Sequence, residues 1–210
     1  MIPAESSLAE RYGVALGTIR QALALLVHDG VLRRQHGKGT FVTRGLDGAS
    51  MLRFFRFRSE DSPSTVPVSR ILRRRFRHPT RTEADAFQMP PDEQVMQLER
   101  LRSIDEAPCL LETIVLPLPL FGALADSDTD DWDDLLYPMY QERCGIVVQQ
   151  AQDSLRFSQL NAAQSSRLRL DPGHPCVLVE RQAFDVASRC IERRITRGDA
   201  YSFTYTARVK

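Results

Sequence analysis

The sequence predicts an α+β protein in two parts, a small amino-terminal head and a larger antiparallel body. Three observations carry this. Between residues 8 and 42, apolar residues recur at helical spacing and then give way to a short basic hairpin. From residue 67 onward, alternating apolar and polar stretches are separated by short helical stretches and turns. Charge divides along the same line: residues 1–78 carry +8 and residues 79–210 carry −7, although the 210-residue chain as a whole is near neutral at +1. A basic head before an acidic body suits a nucleic-acid-binding module joined to a part that does not bind nucleic acid.

In the head, residues 8–12 read as a helix, with Ser7 and Glu10 spaced as a capping box. Gly13 sits where the chain must turn sharply. In the next helix Ile19, Ala22, Leu23 and Leu26 recur at three- and four-residue steps, which predicts one buried face. Arg20, Gln21 and His28 fall off that stripe and can face a partner. Gly30 suits a left-handed helix cap. Val31-Leu32-Arg33-Arg34 and Thr40-Phe41-Val42 read as two strands around a basic, glycine-rich tip, His36-Gly37-Lys38-Gly39. Helix, turn, helix and hairpin make a winged helix. Its second helix fits the DNA major groove, and its wing reaches phosphates or the minor groove.

Composition bounds the rest. Hydrophobic content of 42% and charged content of 26% are those of a globular protein, and 210 residues suit two modest domains. No stretch approaches the roughly 20 consecutive apolar residues that span a bilayer. The start, MIPAESSLAERYG, has no apolar signal core, so a cytoplasmic protein without a membrane partner is expected. Cys109, Cys144, Cys176 and Cys190 are widely separated with no local His cluster, so neither a metal site nor a disulfide framework is expected, and no cofactor is called for.

Residues 1–44 form the expected head and 45–66 a linker, broken up by Gly45, Gly48, Ser59, Ser62, Pro63 and Ser64. Inside the linker, Leu52-Arg53-Phe54-Phe55-Arg56-Phe57-Arg58 alternates aromatic and basic residues, as an arm docking on the body or, less simply, a platform for single-stranded nucleic acid. The body occupies 67–210. Strands are expected at 67–78, 95–104, 109–116, 146–157, 177–185, 190–196 and 201–209. Helices are expected at 82–89, 135–144 and 162–168. Asp105 to Pro108 reads as a turn, and the Asp-rich 126–134 segment as a solvated loop lacking calcium-ligand order.

The head resembles the DNA-binding domain of GntR-type bacterial transcription regulators. Pro3, Glu5, Leu8-Ala9, Gly13-Val14, Thr18-Ile19-Arg20, Ala22-Leu23, Leu26, Gly30 and the Gly37-x-Gly39-Thr40-Phe41-Val42 tail fit that family's pattern in register. The body resembles the UTRA effector domain of the HutC subfamily, whose fold is like chorismate lyase. Its marks are Leu98-Glu99-Arg100-Leu101-Arg102, then Pro108 with Glu112, Leu116-Pro117, and Leu136-Tyr137 before Gly145. They end with Leu170-Asp171-Pro172-Gly173, Val179-Glu180-Arg181 and Ile191-Glu192.

The resemblance implies a dimeric, ligand-responsive regulator, a repressor, that binds a double-stranded operator. It places Thr18, Arg20, Arg33, Arg34, His36, Gly37 and Lys38 on the DNA, with a solvated helix or strand face as the alternative for the arginines. Two departures bear on this. Such heads usually have another helix before the motif at Pro3. Either the true start lies upstream or that helix is missing, which would expose Leu8, Leu23 and Leu26. The arginines that usually open the recognition helix and follow the motif's Glu are replaced by Leu16 and Ser6. An Arg fork on guanine is worth about 1–3 kcal/mol of discrimination.

In the body, Arg100 and Arg102 lie two apart on one strand face and can grip an anionic group. The resemblance places them with Glu112, Tyr137 and Glu192 around an effector, an amino acid, amino sugar or other polar carboxylate. Leu135 stands where phosphosugar-binding members often have Ser, which disfavours a phosphosugar. The alternatives are ion pairing across the strands for the charged residues and a satisfied core hydroxyl for Tyr137. The last strands fit more than one register, which leaves Glu192 open, and Asp153 stands in for a family Glu. Two other functions also stay open: a dimeric ligand-binder that no longer reads DNA, and a chorismate-lyase-like enzyme, for which no acid/base pair, nucleophile or metal set is evident.

Overall fold

A computed structural model describes residues 1–28, 32–35, 39–42 and 67–202 of the chain, which divides into two compact units at Gly45/Leu46. The head begins with α1 (Glu5–Tyr12) and α2 (Leu16–His28), followed by strands β1 (Leu32–Gln35) and β2 (Gly39–Val42). Gly13 ends α1 at φ 63°, where a side chain would be strained, and its N–H caps the Ala9 and Glu10 carbonyls. The expected Ser7/Glu10 capping box does not form. α1 starts at Glu5 behind Ala4, so Ser7 is already inside the helix, and Glu5 places its negative charge in the first turn.

Ile19, Leu23 and Leu32 form the head's core, with Ile2, Leu8, Ala9 and Val27 packed against it. The buried ridge of α2 is therefore Ile19-Leu23-Val27, at steps of four. Ala22 and Leu26 belong to the expected stripe yet are exposed, Leu26 to 38%. α1 and β1 cover one side of α2 only, and Leu23 lies on the covered side. β1 and β2 pair antiparallel from Leu32↔Val42 to Gln35↔Gly39, and the Ile2 N–H donates to the Thr40 carbonyl at 2.9 Å. Gly30, the wing tip 36–38, the linker 43–66 with its Arg–aromatic run, and residues 203–210 lie outside the described residues.

The body is one six-stranded antiparallel sheet with helices on both faces. In chain order it runs β3 (Val68–Arg77), α3 (Arg81–Phe87), β4 (Val95–Ile104), β5 (Ala107–Pro117), α4 (Leu118–Phe121), α5 (Leu136–Cys144), β6 (Val148–Gln159), α6 (Ala162–Leu168), β7 (Pro175–Asp185) and β8 (Cys190–Asp199). Strand order is β3-β4-β5-β8-β7-β6. α4, the following turn of 3₁₀ helix and α5 cover one face, where Phe121, Leu124, Tyr137 and Tyr140 pack on Met96, Leu98, Ile114 and Leu116. On the other face Phe87 of α3 packs on Val95 and Val115, and Leu168 of α6 sits in a cluster with Leu111 and Leu160.

Local chemistry sets these boundaries. α3 opens with a Thr80/Glu83 capping box and α6 with an Asn161/Gln164 one. Gly145 closes α5 at φ 68°. The Asp-rich segment is tied down more than a solvated loop would be: the Trp132 indole packs on the core and donates to Ser127 Oγ at 2.9 Å, and Asp134 Oδ1 accepts the Ser69 N–H at 2.5 Å. The expected pair of terminal strands is a single strand, β8, reaching Asp199. The chain bends at Tyr201–Ser202, and the rest of the second expected strand lies outside the described residues.

The β4–β5 connection is tighter than the expected four-residue turn. Only Asp105 and Glu106 stand outside the strands, both left-handed at φ 48° and 64°. Two consecutive left-handed residues match the twist of a two-residue hairpin, at a steric cost of about 1–2 kcal/mol for each non-glycine residue. Glu106→Gly should therefore stabilise the body by about 0.5–1 kcal/mol, after allowing for the greater chain entropy of glycine in the unfolded state. A urea midpoint that stays put or falls would contradict this.

Candidate functional site

Strand alternation collects a layer of charge beneath α5. Register places Arg100 opposite Glu112, Glu112 opposite Thr196, Arg181 opposite Arg194, and Asp153 opposite Arg181, all on the α5 side of the sheet. Arg100 Nε donates to Glu112 Oε2 at 2.6 Å, and Arg194 Nη1 lies 3.5 Å from Glu112 Oε1. Thr196 Oγ1 donates to the same Glu112 oxygen at 3.3 Å. Arg194 Nη2 donates to Glu192 Oε2 at 2.8 Å, so one arginine bridges both glutamates. The α5 hydroxyls close the layer: Tyr137 donates to Glu192 Oε1 at 3.2 Å and Tyr140 to Oε2 at 2.8 Å. Arg181 forks Asp153 at 2.7 and 2.6 Å. Arg194 also lies over the Tyr137 ring, 5.5 Å from its centroid.

This settles the geometry left open by the sequence. Glu192 is fully buried on the same face as Arg100, Arg102 and Glu112, and Tyr137 meets it from the covering helix. The simpler expectation for Arg100, Glu112, Glu192 and Tyr137, ion pairing and a satisfied hydroxyl, is also met by these contacts. Sequence reasoning did not single out Arg194, Tyr140 or Thr196 and took Arg181 only as a family mark. Arg194 and Thr196 lie two and four residues past Glu192, so strand parity from Glu192 would have found them.

The layer holds four arginines against three carboxylates, a formal surplus of one positive charge. Arg102 is the least engaged: it is buried, and its Nη2 donates to the Pro67 carbonyl at 3.3 Å. Among the described residues, Arg102 Nε, Arg100 Nη1 and Arg194 Nε are buried with no hydrogen-bond partner. Buried N–H groups are nearly always paired in folded proteins, so three orphans in one layer mark a place for an acceptor. Of the three cavities described on the body, none is lined by Arg100, Arg102, Glu112, Tyr137 or Glu192; two other members of the layer, Arg181 and Arg194, line one of them.

Titration follows from this packing. Burial alone would push the Glu112 carboxyl up, but Arg100, Arg194 and Arg102 together hold it down at about 2. Burial pushes both tyrosine hydroxyls up and Glu192 adds to it, so they stay protonated donors. Burial lowers the Arg102 guanidinium from its usual value, against the pull of Glu112.

In the head, the Arg20 side chain is 63% exposed on α2. Glu5 of α1 takes its Nε at 2.8 Å and comes within 3.6 Å of Arg34 Nη2 on β1. Held by Nε, Arg20 keeps its Nη1/Nη2 fork unused by the Glu5 contact. Thr18 is exposed on the same helix. The Arg33 side chain and His36, Gly37 and Lys38 lie outside the described residues.

The depressed Glu112 value makes a stability forecast. A carboxylate that titrates lower when folded stabilises the fold above its usual pKa near 4.5, and that contribution fades as pH falls toward about 2. Glu112→Gln removes the negative charge facing Arg100 and Arg194. It should cost about 3–5 kcal/mol at pH 7 and flatten the decline of stability below pH 4.5. Chemical denaturation across pH reads both, and parallel curves for wild type and variant would refute the assignment.

Both units match known protein families. Residues 1–42 match the profile of bacterial regulatory proteins of the GntR family, and residues 64–204 match that of the UTRA domain. The HTH-type transcriptional repressor NagR of Bacillus subtilis is 26% identical over 97% of this chain and 84% of its own length. The HTH-type transcriptional repressor PhnF of Mycolicibacterium smegmatis is 30% identical over 99% of this chain and 84% of its own. The crystal structure of PhnF from Mycobacterium smegmatis superimposes with a TM-score of 0.65 at 24% identity, over 100% of this chain and 91% of that one, which supports the fold. The chain therefore belongs to the GntR family, with a UTRA domain as its body, and is a DNA-binding transcription regulator rather than an enzyme.

Proposed function

We propose that this regulator is a repressor whose operator affinity is set by a small polar carboxylate bound in the charge layer under α5. The observation that carries this is the set of three orphaned guanidinium N–H groups in a layer with one surplus positive charge. A monoanion supplies both the missing charge and the missing acceptors. Glu112 and Glu192 are placed to accept from its hydroxyl or amino groups, so an amino acid, an amino sugar or a related acid fits. Arg100, Arg102, Glu112 and Glu192 are buried beneath α5 and line none of the described cavities, so entry beside them requires α5 to part from the sheet. An effector that binds the parted state better shifts the body toward it.

In this reading a dimer in the cytoplasm sets two heads on two half-sites. Thr18 and Arg20 meet base edges or phosphates from α2. Arg33 and Arg34 meet phosphates, and His36, Gly37 and Lys38 carry the wing contacts. Residues 1–44 act as the head, 45–66 as linker and 67–210 as the sensing and dimerising body. The rival reading, a ligand-binder that has lost its operator, draws on Leu16 and Ser6 in place of the expected arginines.

A gel shift with the DNA upstream of the chain's own gene separates the two. Arg20→Ala should weaken operator binding about tenfold or more. Glu5→Ala frees the Arg20 side chain and removes a negative charge beside phosphate, so it should narrow the ratio of specific to non-specific affinity. Absence of a shift at low salt, or full retention by Arg20→Ala, favours the rival. For the body, a thermal-shift screen of amino acids and amino-sugar acids should find a compound that raises Tm in wild type and not in Arg102→Gln. A hit indifferent to Arg102 would place the effector elsewhere.

A further inference from the structure

We propose that the groove on the other face of the same sheet is a second binding site, specific for a small hydroxylated carboxylate gripped by Arg193. Strand alternation separates the two faces. Glu192, Arg194 and Thr196 of β8 turn toward α5, and Arg193 and Ile195 turn away from it. The groove is a cavity of about 160 Å³, and Thr113 and Val115 of β5, Gln182 of β7, and Gln152 and Ser154 of β6 line it with them. At about 30 Å³ per water molecule it holds roughly five waters, or one small organic acid.

Arg181 and Arg194 also line the groove, with Arg181 paired to Asp153 and Arg194 to Glu192 and Glu112, and the remaining charges cancel except at one point. Glu83 of α3 accepts from Arg77 at 2.6 and 2.7 Å, so those two groups satisfy each other at one end. Glu180 is paired with Arg156 on the adjacent strand. Arg193 is half-buried, and its side chain makes no hydrogen bond or ion pair among the described residues. The Thr113, Gln152, Ser154 and Gln182 side chains make none there either. A guanidinium without a carboxylate is a fork for a planar anion. Two amides and two hydroxyls around it supply donors and acceptors at the spacing of a polyol, and Val115 and Ile195 offer apolar surface to its carbon chain. Unlike the layer beneath α5, the groove opens to solvent, and a ligand enters it without displacing a helix.

Residue chemistry thus asks for one carboxylate and several hydroxyls on one small molecule. D-glucuronate is a suitable probe, with D-glucose lacking the carboxylate and acetate lacking the hydroxyls as controls. Calorimetric titration of the full chain with each, up to about 10 mM, should show glucuronate binding at least tenfold tighter than either control. Arg193→Gln should weaken glucuronate at least tenfold and Gln182→Ala severalfold. Both side chains lack protein partners, so both variants should melt with wild type when no ligand is present. Arg102→Gln, on the opposite face, should bind glucuronate as wild type does. No glucuronate binding by wild type, or undiminished binding by Arg193→Gln, overturns the proposal. Loss in Arg102→Gln with retention in Arg193→Gln assigns the ligand to the buried layer and overturns it as well. A change of oligomeric state in Arg193→Glu, read by sedimentation, means that a second copy of the chain covers this face, and equally overturns it. The effector reading is scored separately, by the Arg102-dependent Tm shift.

Discussion

Arg194 between Glu112 and Glu192 is the contact on which the body depends. It lies at the centre of the sheet, and each glutamate it holds is tied to something else. Glu112 is tied to Arg100 and Thr196, and Glu192 to the two tyrosines of α5. A buried ion pair is weak evidence for net stability, because removing two charges from water costs about as much as their attraction returns. Its strength is selective. A chain that places these strands in any other order leaves full charges in an apolar interior. The layer thus disfavours mispaired strands, and the two tyrosine hydroxyls add a polar anchor to the packing of Leu136, Tyr137, Met139 and Tyr140 that seats α5 on the sheet.

The head solves a smaller version of the same problem at its surface. Two arginines on different elements lean on one carboxylate from a third. Exposed pairs of this kind add little to stability. What the arrangement does is orient: a long side chain with many rotamers is narrowed toward one, from the side that a base edge does not need.

Much of this was legible in the sequence, and the failures share a cause. The expected and observed limits of β4 and α6 coincide, since an apolar–polar pattern over ten residues and a seven-residue helix behind a capping Asn161 leave little choice. The stripe of α2 was read too broadly. Periodicity says which residues lie along one side of a helix and not which of them a neighbour covers, so Ala22 and Leu26 were grouped with Leu23. The capping box at Ser7 failed because the same residue types suit a helix start and a first turn. In the body, Arg100 and Arg102 follow from their two-residue spacing on one strand, whereas Glu112, Tyr137 and Glu192 enter only through the family resemblance. Arg194 is within reach of parity from Glu192 only once the register of that strand is fixed, and Tyr140 meets Glu192 across 52 residues of chain with no motif to mark it. A cavity formed by side chains from several distant strands leaves no local pattern, and the groove at Arg193 was invisible for that reason.

The two faces of β8 bear one more consequence. Side chains on a strand alternate, so sliding β8 by a single position would turn Arg193 and Ile195 inward and carry Arg194 and Glu192 out to water. An inserted or deleted codon within this strand is thus no local injury, as it would be in a surface loop. It inverts the polarity of the sheet at its centre, and every neighbouring strand would meet the wrong partner at once.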